Sequence, residues 1–366
     1  MVPEPDHDEV LLEAIASLCV PLLRELDAFE SLLRRLHPPA IEGLRDDLRP
    51  HHAALAESRG AFRALETQAS EAGLSKLWSE LSQAAGAACR AAELFCDATP
   101  GPGAMALVLQ SMQAHAQAQE GLFAMRSALS PIDRFFLEPG CRDRAGSFDR
   151  PPDDGAHRGG LHHARNDRDA RGGFSLWVPE APPDEPFPLL VVLHGGSGHG
   201  ADFLFTWLRE GRSRRCVILS PTAQGATWSF QGPDVDALAL RQMVDFVAER
   251  WPIDAEKILL TGLSDGATYS LYAGAQAEMP FTALAPVSGV LHPAVLGQAG
   301  RERLGGLPVY LVHGALDWMF PVELARAAAE QLRAAGCALV YREIEDLSHT
   351  YPREENARIL DWFAGL

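Results

Sequence analysis

Ser264 stands in "GLSDG", fenced by Gly262 and Gly266, after an apolar run and before a stretch with helical spacing. A turn from strand to helix this tight leaves no room for side chains two residues either side of the serine. Glycines there let its hydroxyl project above a sheet as a nucleophile. A serine hydroxyl is a weak nucleophile unless a base takes its proton and a carboxylate orients that base. Downstream of Ser264 there are three histidines, His292, His313 and His349. His349, in "EIEDLSHTYP", follows the last expected strand and precedes the last helix, from where a side chain reaches back over the sheet edge. It is the expected base. Asp317, in "LVHGALDWMFP", follows the strand 309–312 by a short loop and is the expected carboxylate. Glu343, Glu345 and Asp346 compete with it, the first from inside the last strand and the others from close beside His349.

Acyl transfer also needs two backbone N–H groups aimed at the oxygen that becomes negative. One is expected from Asp265, directly after the nucleophile. The other is expected from the glycine-rich stretch "HGGSGHG" after "LLVVL", with Gly196 the first choice and Ser197 the second. Ser197, Trp228 and Trp318 are taken as substrate-pocket residues. Trp228 and Phe230, in "GATWSFQG", fit a pocket wall and a packed core equally well. His194 and His313, each ending a strand, read as structural.

These groups need a scaffold of strands followed by helices. Short apolar runs at 174–178, 189–193, 217–219, 258–261, 283–286, 309–312 and 339–344 alternate with helix-like stretches such as 237–250 and 322–335. That alternation predicts a mostly parallel sheet with flanking helices, with function at the carboxyl ends of its strands. Residues before about 130 carry helical periodicity instead: Leu11, Ile15, Leu18, Leu22, Leu26 and Phe29 recur at steps of three and four. Pro21 is expected to kink or divide the first helix and Pro50 to interrupt the second. The segment "ATPGPGAM" is expected to be a breaker loop before a helix over 105–129. The division expected is an all-helical domain over 1–138, a linker over 139–160 and an α/β domain over 161–366.

The stretches "RGGFSLWVP", "LLVVLHGGSGHG", "GLSDG", "HGALDWMFP" and "DLSHTYP", in this order and spacing, resemble the α/β-hydrolase superfamily. Within it they are most similar to the phospholipase/carboxylesterase branch of bacterial serine esterases, over roughly 161–366. The resemblance implies a Ser264–Asp317–His349 triad, hydrolysis of carboxylic or thioesters through an acyl-enzyme, and no metal or organic cofactor. The helical first part lies outside it, as an extension of the kind such esterases carry. A lysophospholipase or polyester-oligomer hydrolase targeted by that extension is the alternative, with a non-catalytic binding protein on the same fold behind it.

Bulk composition narrows the partners. The 366 residues carry a formal charge of −17, which repels phosphate backbones and anionic membranes, so nucleic acid is not an expected partner. No apolar run is long enough to span a bilayer. The start "MVPEPDHDEV" has acids where a secretory signal has basic residues, which points to a cytoplasmic protein with six reduced cysteines. The expected substrate is a small-molecule ester. The helical domain is the expected surface for self-association or a partner. A metal at His162, His163, Asp167 and Asp169, and a nucleotide on the glycine-rich loop 195–200, are the less favoured readings of those segments. Some twenty residues between the strands ending at Pro286 and Val312 leave little for a lid, which favours an open cleft.

Overall fold

The computed structural model describes residues 7–99, 103–148, 158–182, 184–230 and 233–366. It comprises two compact units, Met1–Gly146 and Ser147–Leu366. The expected breaker loop at 98–105 and linker at 139–160 lie partly outside the described residues.

The first unit is helical: α1 (His7–Arg34), α2 (Ile41–Ala64), α3 (Glu66–Glu71), α4 (Ser75–Asp97), α5 (Ala104–Ala124) and α6 (Ser130–Phe135). Its core gathers Phe29 and Leu32 of α1, Leu44 and Leu48 of α2, Leu94 and Phe95 of α4, and Val108 of α5. Neither proline divides its helix. Pro21 lies inside α1 and Pro50 inside α2, both continuous. Leu18, Leu22 and Leu26 of α1, and Leu44, Leu48 and Leu55 of α2, are buried on both sides of these prolines. That packing outweighs the loss of one intrahelical hydrogen bond, as tertiary contacts commonly override propensity.

Glu25 of α1 is buried at 1% exposure, and among the described residues its carboxyl oxygens have no hydrogen-bond partner. Burial pushes its pKa up from 4.5 to about 8. The folded unit therefore holds a proton there that the unfolded chain releases above its ordinary carboxyl pKa, so stability falls as pH rises from 4.5 toward 8. Glu25→Gln removes this slope. Chemical denaturation should show the variant more stable than wild type at pH 8, by up to about 4 kcal/mol, with little difference near pH 4.

The second unit holds one eight-stranded sheet in the order β1-β2-β4-β3-β5-β6-β7-β8. The strands are β1 (Gly160–Ala164), β2 (Phe174–Val178), β3 (Phe187–Leu193), β4 (Val217–Pro221), β5 (Ile253–Leu263), β6 (Ala283–Val287), β7 (Pro308–Gly314) and β8 (Ala338–Ile344). The helices are α7 (Gly200–Ser213), α8 (Val235–Arg250), α9 (Asp265–Gly274), α10 (Gln298–Leu304), α11 (Val322–Ala334) and α12 (Glu354–Ala364). β1 and β2 run antiparallel to their neighbours and β3 to β8 pair in parallel. The central strands are nearly all apolar, as strands covered on both faces must be. The chain moves outward from β3 to β4, then crosses back to β5 on the other side of β3. This switch point opens a crevice at the carboxyl ends of β3 and β5. β1 is an edge strand that the apolar runs do not mark, with polar His162 and His163 in its middle. Here His163 Nδ1 lies 2.8 Å from Ser175 Oγ and His162 Nε2 lies 3.3 Å from the Arg158 carbonyl. Among the described residues no helix is long and apolar enough to cross a membrane.

Candidate active site

Ser264 sits between β5 and α9 with φ 55° and ψ −116°, a left-handed conformation that L residues rarely adopt. Its N–H donates to the Val287 carbonyl at 2.9 Å, and the Thr268 N–H donates to the Ser264 carbonyl at 2.9 Å, so both sides of the turn are tied down. The flanking glycines are required by close approach. A Cβ on Gly266 would lie 2.4 Å from the Leu193 carbonyl oxygen, and one on Gly262 would lie 2.6 Å from the Gly266 carbonyl. Both contacts are to backbone, which has nowhere to go. Gly266→Ala should therefore abolish soluble folded protein or lower its melting temperature steeply, as judged by thermal unfolding.

The sheet brings the three expected residues together. His349 Nε2 lies 2.9 Å from Ser264 Oγ, and His349 Nδ1 lies 2.8 Å from Asp317 Oδ2. The other oxygen of Asp317 accepts the N–H groups of Met319 at 3.0 Å and Phe320 at 2.8 Å. Burial pushes the Asp317 pKa up, but the His349 hydrogen bond, the Phe320 N–H and the charges of His349 and His313 outweigh it, so the pKa lies below the ordinary 3.8. With Asp317 ionised, His349 Nδ1 donates and Nε2 offers its lone pair to the serine hydroxyl. The Phe320 ring meets the imidazole edge-on at 5.1 Å.

The competing groups are engaged elsewhere. His313 is fully buried, with Nε2 on the Phe320 carbonyl at 2.8 Å and 3.5 Å from Asp317 Oδ2. His292 accepts from the Ala294 N–H at the start of a short 3-10 turn, Pro293–Leu296. Glu343 pairs with Arg326. Glu345 and Asp346 are exposed.

The loop after β3 forms a four-residue turn closed by the Gly198 N–H on the Gly195 carbonyl at 3.0 Å. The same carbonyl lies 2.6 Å from His194 Nδ1, while His194 Nε2 accepts the Ala223 N–H at 3.1 Å. Nε2 must then be bare and Nδ1 protonated, a neutral imidazole, in keeping with a pKa that burial lowers to about 3. Because the N–H of a trans peptide points opposite to its C=O, pinning the Gly195 carbonyl inside the turn leaves the Gly196 N–H facing out of it. Neither that N–H nor the Asp265 N–H at the start of α9 has an acceptor among the described residues. Ser197, the second choice for a donor, has its N–H on the Ala226 carbonyl at 2.8 Å, and it takes φ 59° at the third position of the turn. Asp265 Oδ2 accepts from Thr227 Oγ1 at 2.5 Å and would lie 2.6 Å from a Cβ at Gly196.

Of the expected pocket residues, Ser197 and Trp318 are exposed and Trp228 is not. Trp228, at 2% exposure, stacks on Tyr269 with ring centres 5.3 Å apart and donates its indole N–H to the His194 carbonyl at 2.8 Å. It packs in the core of the unit and holds the end of β3 just ahead of the turn. Trp318, Leu316 and Met319 flank Asp317 and are nearly half exposed, an apolar shelf that the sequence reading foresaw only at Trp318. Between β6 and β7 stand only the short turn 293–296 and α10.

Residues 234–364 match the Phospholipase/Carboxylesterase family. The second unit has the mostly parallel sheet and flanking helices of an α/β-hydrolase, and over this stretch it is similar to phospholipases and carboxylesterases. The chain also resembles a bifunctional acetylxylan esterase/xylanase from Neocallimastix patriciarum, 32% identical over 134 residues that make up 36% of this chain and 19% of that protein. A poly(3-hydroxyalkanoate) depolymerase C from Paucimonas lemoignei is 29% identical over 114 residues, 28% of each chain. The chain thus spans well under a third of the length of these curated relatives. Among solved structures, a thermostable esterase superposes with TM-score 0.46 at 22% identity, covering 56% of this chain and 62% of its own. An acetyl xylan esterase from Aspergillus awamori gives 0.46 at 15% identity, covering 57% and 100%.

Proposed function

We propose that the protein hydrolyses carboxylic esters, including thioesters, through an acyl-enzyme on Ser264. The observation that carries this reading is the unbroken hydrogen-bonded line from Ser264 Oγ through His349 to Asp317. Ser264 Oγ attacks the ester carbonyl carbon as its proton passes to His349 Nε2. Asp317 stabilises the imidazolium that forms, and the N–H groups of Gly196 and Asp265 receive the oxyanion. Collapse breaks the bond to the alcohol or thiol, which leaves with the proton from His349. Water then enters, gives its proton to the same nitrogen and releases the acid and the free serine.

The shelf of Leu316, Trp318 and Met319 beside Asp317, with no long segment between β6 and β7, supports an open cleft with apolar surface next to it. Acyl groups of short to medium length fit such a cleft. That same shelf favours a second reading, hydrolysis of polyester oligomers whose chain lies along it. Hydrolysis of p-nitrophenyl esters from acetate to palmitate, with Ser264→Ala as the blank, tests the first reading. A maximum at short or medium chains, lost in the variant, is expected; no Ser264-dependent hydrolysis of any ester overturns it. Preferential release of acid from an emulsified polyester oligomer over the soluble esters would favour the second.

A further inference from the structure

The Gly195–Gly198 turn carries strain that its own residues do not relieve. Ser197 stands at φ 59° in the position where such turns prefer glycine, and its side chain is exposed. Beyond its own Gly198–Gly195 bond and the His194 contact to the Gly195 carbonyl, the turn is held by ties to neighbouring segments. One tie is the Ser197 N–H on the Ala226 carbonyl at 2.8 Å. The others come from Arg171. Its Nη1 donates to the Gly198 carbonyl at 2.7 Å, its Nε to the carbonyls of Ala223 at 3.1 Å and Gly225 at 2.9 Å, and its Nη2 to Gly225 at 2.5 Å. One planar guanidinium thus joins the turn after β3 to the loop after β4.

Arg171 reaches this place because of strand direction. β2 runs antiparallel to β4, with Phe174 opposite Pro221, so the beginning of β2 lies at the carboxyl end of β4. The pairing continues past the strands, Thr222 N–H donating to the Gly173 carbonyl at 2.8 Å and Gly172 N–H to Ala223 at 3.3 Å. A residue just before β2 therefore stands at the catalytic edge of the sheet.

We propose that Arg171 is a positioning residue for the oxyanion hole, fastening the strained turn so that the Gly196 N–H keeps its outward aim. The inference rests on the reading of Ser264 as the nucleophile of an ester hydrolase. All the carbonyls it holds are on the backbone, and the fork of donors on a guanidinium spans two loops at once. A lysine ammonium is a single point and reaches one of them. Without the clamp the turn relaxes at Ser197, and the donor shifts relative to the developing oxyanion. Displacements of that kind, near 1 Å, cost on the order of a hundredfold in rate.

The test uses the full-length protein and its variants Arg171→Ala and Arg171→Lys, with p-nitrophenyl butyrate as substrate and a butyl trifluoromethyl ketone as an analogue whose oxyanion occupies the hole. Arg171→Ala should lower kcat by about 30- to 100-fold with KM within about threefold. The ketone should bind more weakly by the factor lost in kcat/KM. Guanidinium ion at tens of millimolar should restore a substantial part of kcat to the alanine variant, and Arg171→Lys should restore little. Should the alanine variant fail to fold, Arg171→Gln, which retains two donors, takes its place in the same measurements. An unchanged kcat, or a fall in kcat with ketone affinity intact and no rescue, overturns the inference while the ester-hydrolase reading stands. A wild type that hydrolyses no ester, or a Ser264→Ala variant as active as wild type, overturns both.

Discussion

Replacing Ser264 with alanine should reduce kcat for p-nitrophenyl butyrate by about 10⁴- to 10⁶-fold, and His349→Ala should do the same. The double variant should lose no more than either alone. Non-additivity is expected because the hydroxyl and the imidazole act as one unit: an undirected serine is no nucleophile, and a base without a serine has no proton to take. Labelling by a fluorophosphonate reagent should vanish in parallel. The backbone adds a second readout. Ser264 holds φ 55° only because the bonds from its N–H to Val287 and from Thr268 to its carbonyl hold it there. Ser264→Gly, which adopts that conformation without strain, should be inactive and about 1 kcal/mol more stable than wild type in thermal or chemical unfolding. An inactive variant that is also destabilised would show that the turn is not strained.

Asp317→Asn should cost about 10³- to 10⁴-fold in kcat while leaving the fold intact. Asp317 Oδ1 accepts two backbone N–H groups, from Met319 and Phe320. The amide oxygen of an asparagine must take that side, which turns its NH₂ toward His349 Nδ1. An NH₂ cannot accept, so the imidazole has to present a bare Nδ1 and carry its proton on Nε2, the nitrogen that must take the proton of Ser264. The base is then blocked by tautomer, with every atom in place. For the wild type, the lowered pKa of Asp317 means that the carboxylate stays charged throughout the neutral and mildly acidic range. Its contribution to stability is present above the unfolded carboxyl pKa and is lost only as pH falls through the lower folded value. Protonation of Asp317 should therefore put no acid limb into the pH–rate profile above pH 5. Activity that survives in Asp317→Asn at more than about a tenth of wild type would remove Asp317 from the mechanism.

The parts of this arrangement that were legible in the sequence are those fixed by local geometry. A strand, a serine between glycines and a helix can be read at 258–274 because the glycines answer to a clash with the neighbouring turn, and the structure places backbone atoms within 2.6 Å of where their Cβ atoms would be. The expected base and carboxylate could be placed because each follows a strand in the parallel part of the sheet. What failed to show depends on contacts between distant segments. Trp228 looks like any aromatic residue in a loop until Tyr269, from a helix forty residues on in the chain, is found stacked upon it. Pro21 and Pro50 look like helix breakers because a sequence does not display the packing that carries a helix through them. β1 is an edge strand, half buried, with two histidines where an apolar alternation would have marked it. Arg171 is not legible because parallel strands present their ends at the functional edge, and an antiparallel strand brings its beginning there instead.

That single reversed strand also decides how the catalytic apparatus divides along the chain. The proposed nucleophile, base and carboxylate all fall within the stretch 234–364 that matches the family. The turn with Gly196, the loop 223–227 and Arg171 all precede it. Recombination that joined a foreign amino-terminal half at α8 would inherit the proposed triad facing an unfamiliar oxyanion turn. A crossover ahead of Arg171 would instead carry the proposed triad and the proposed oxyanion turn together, at the cost of parting β1 from its partner β2.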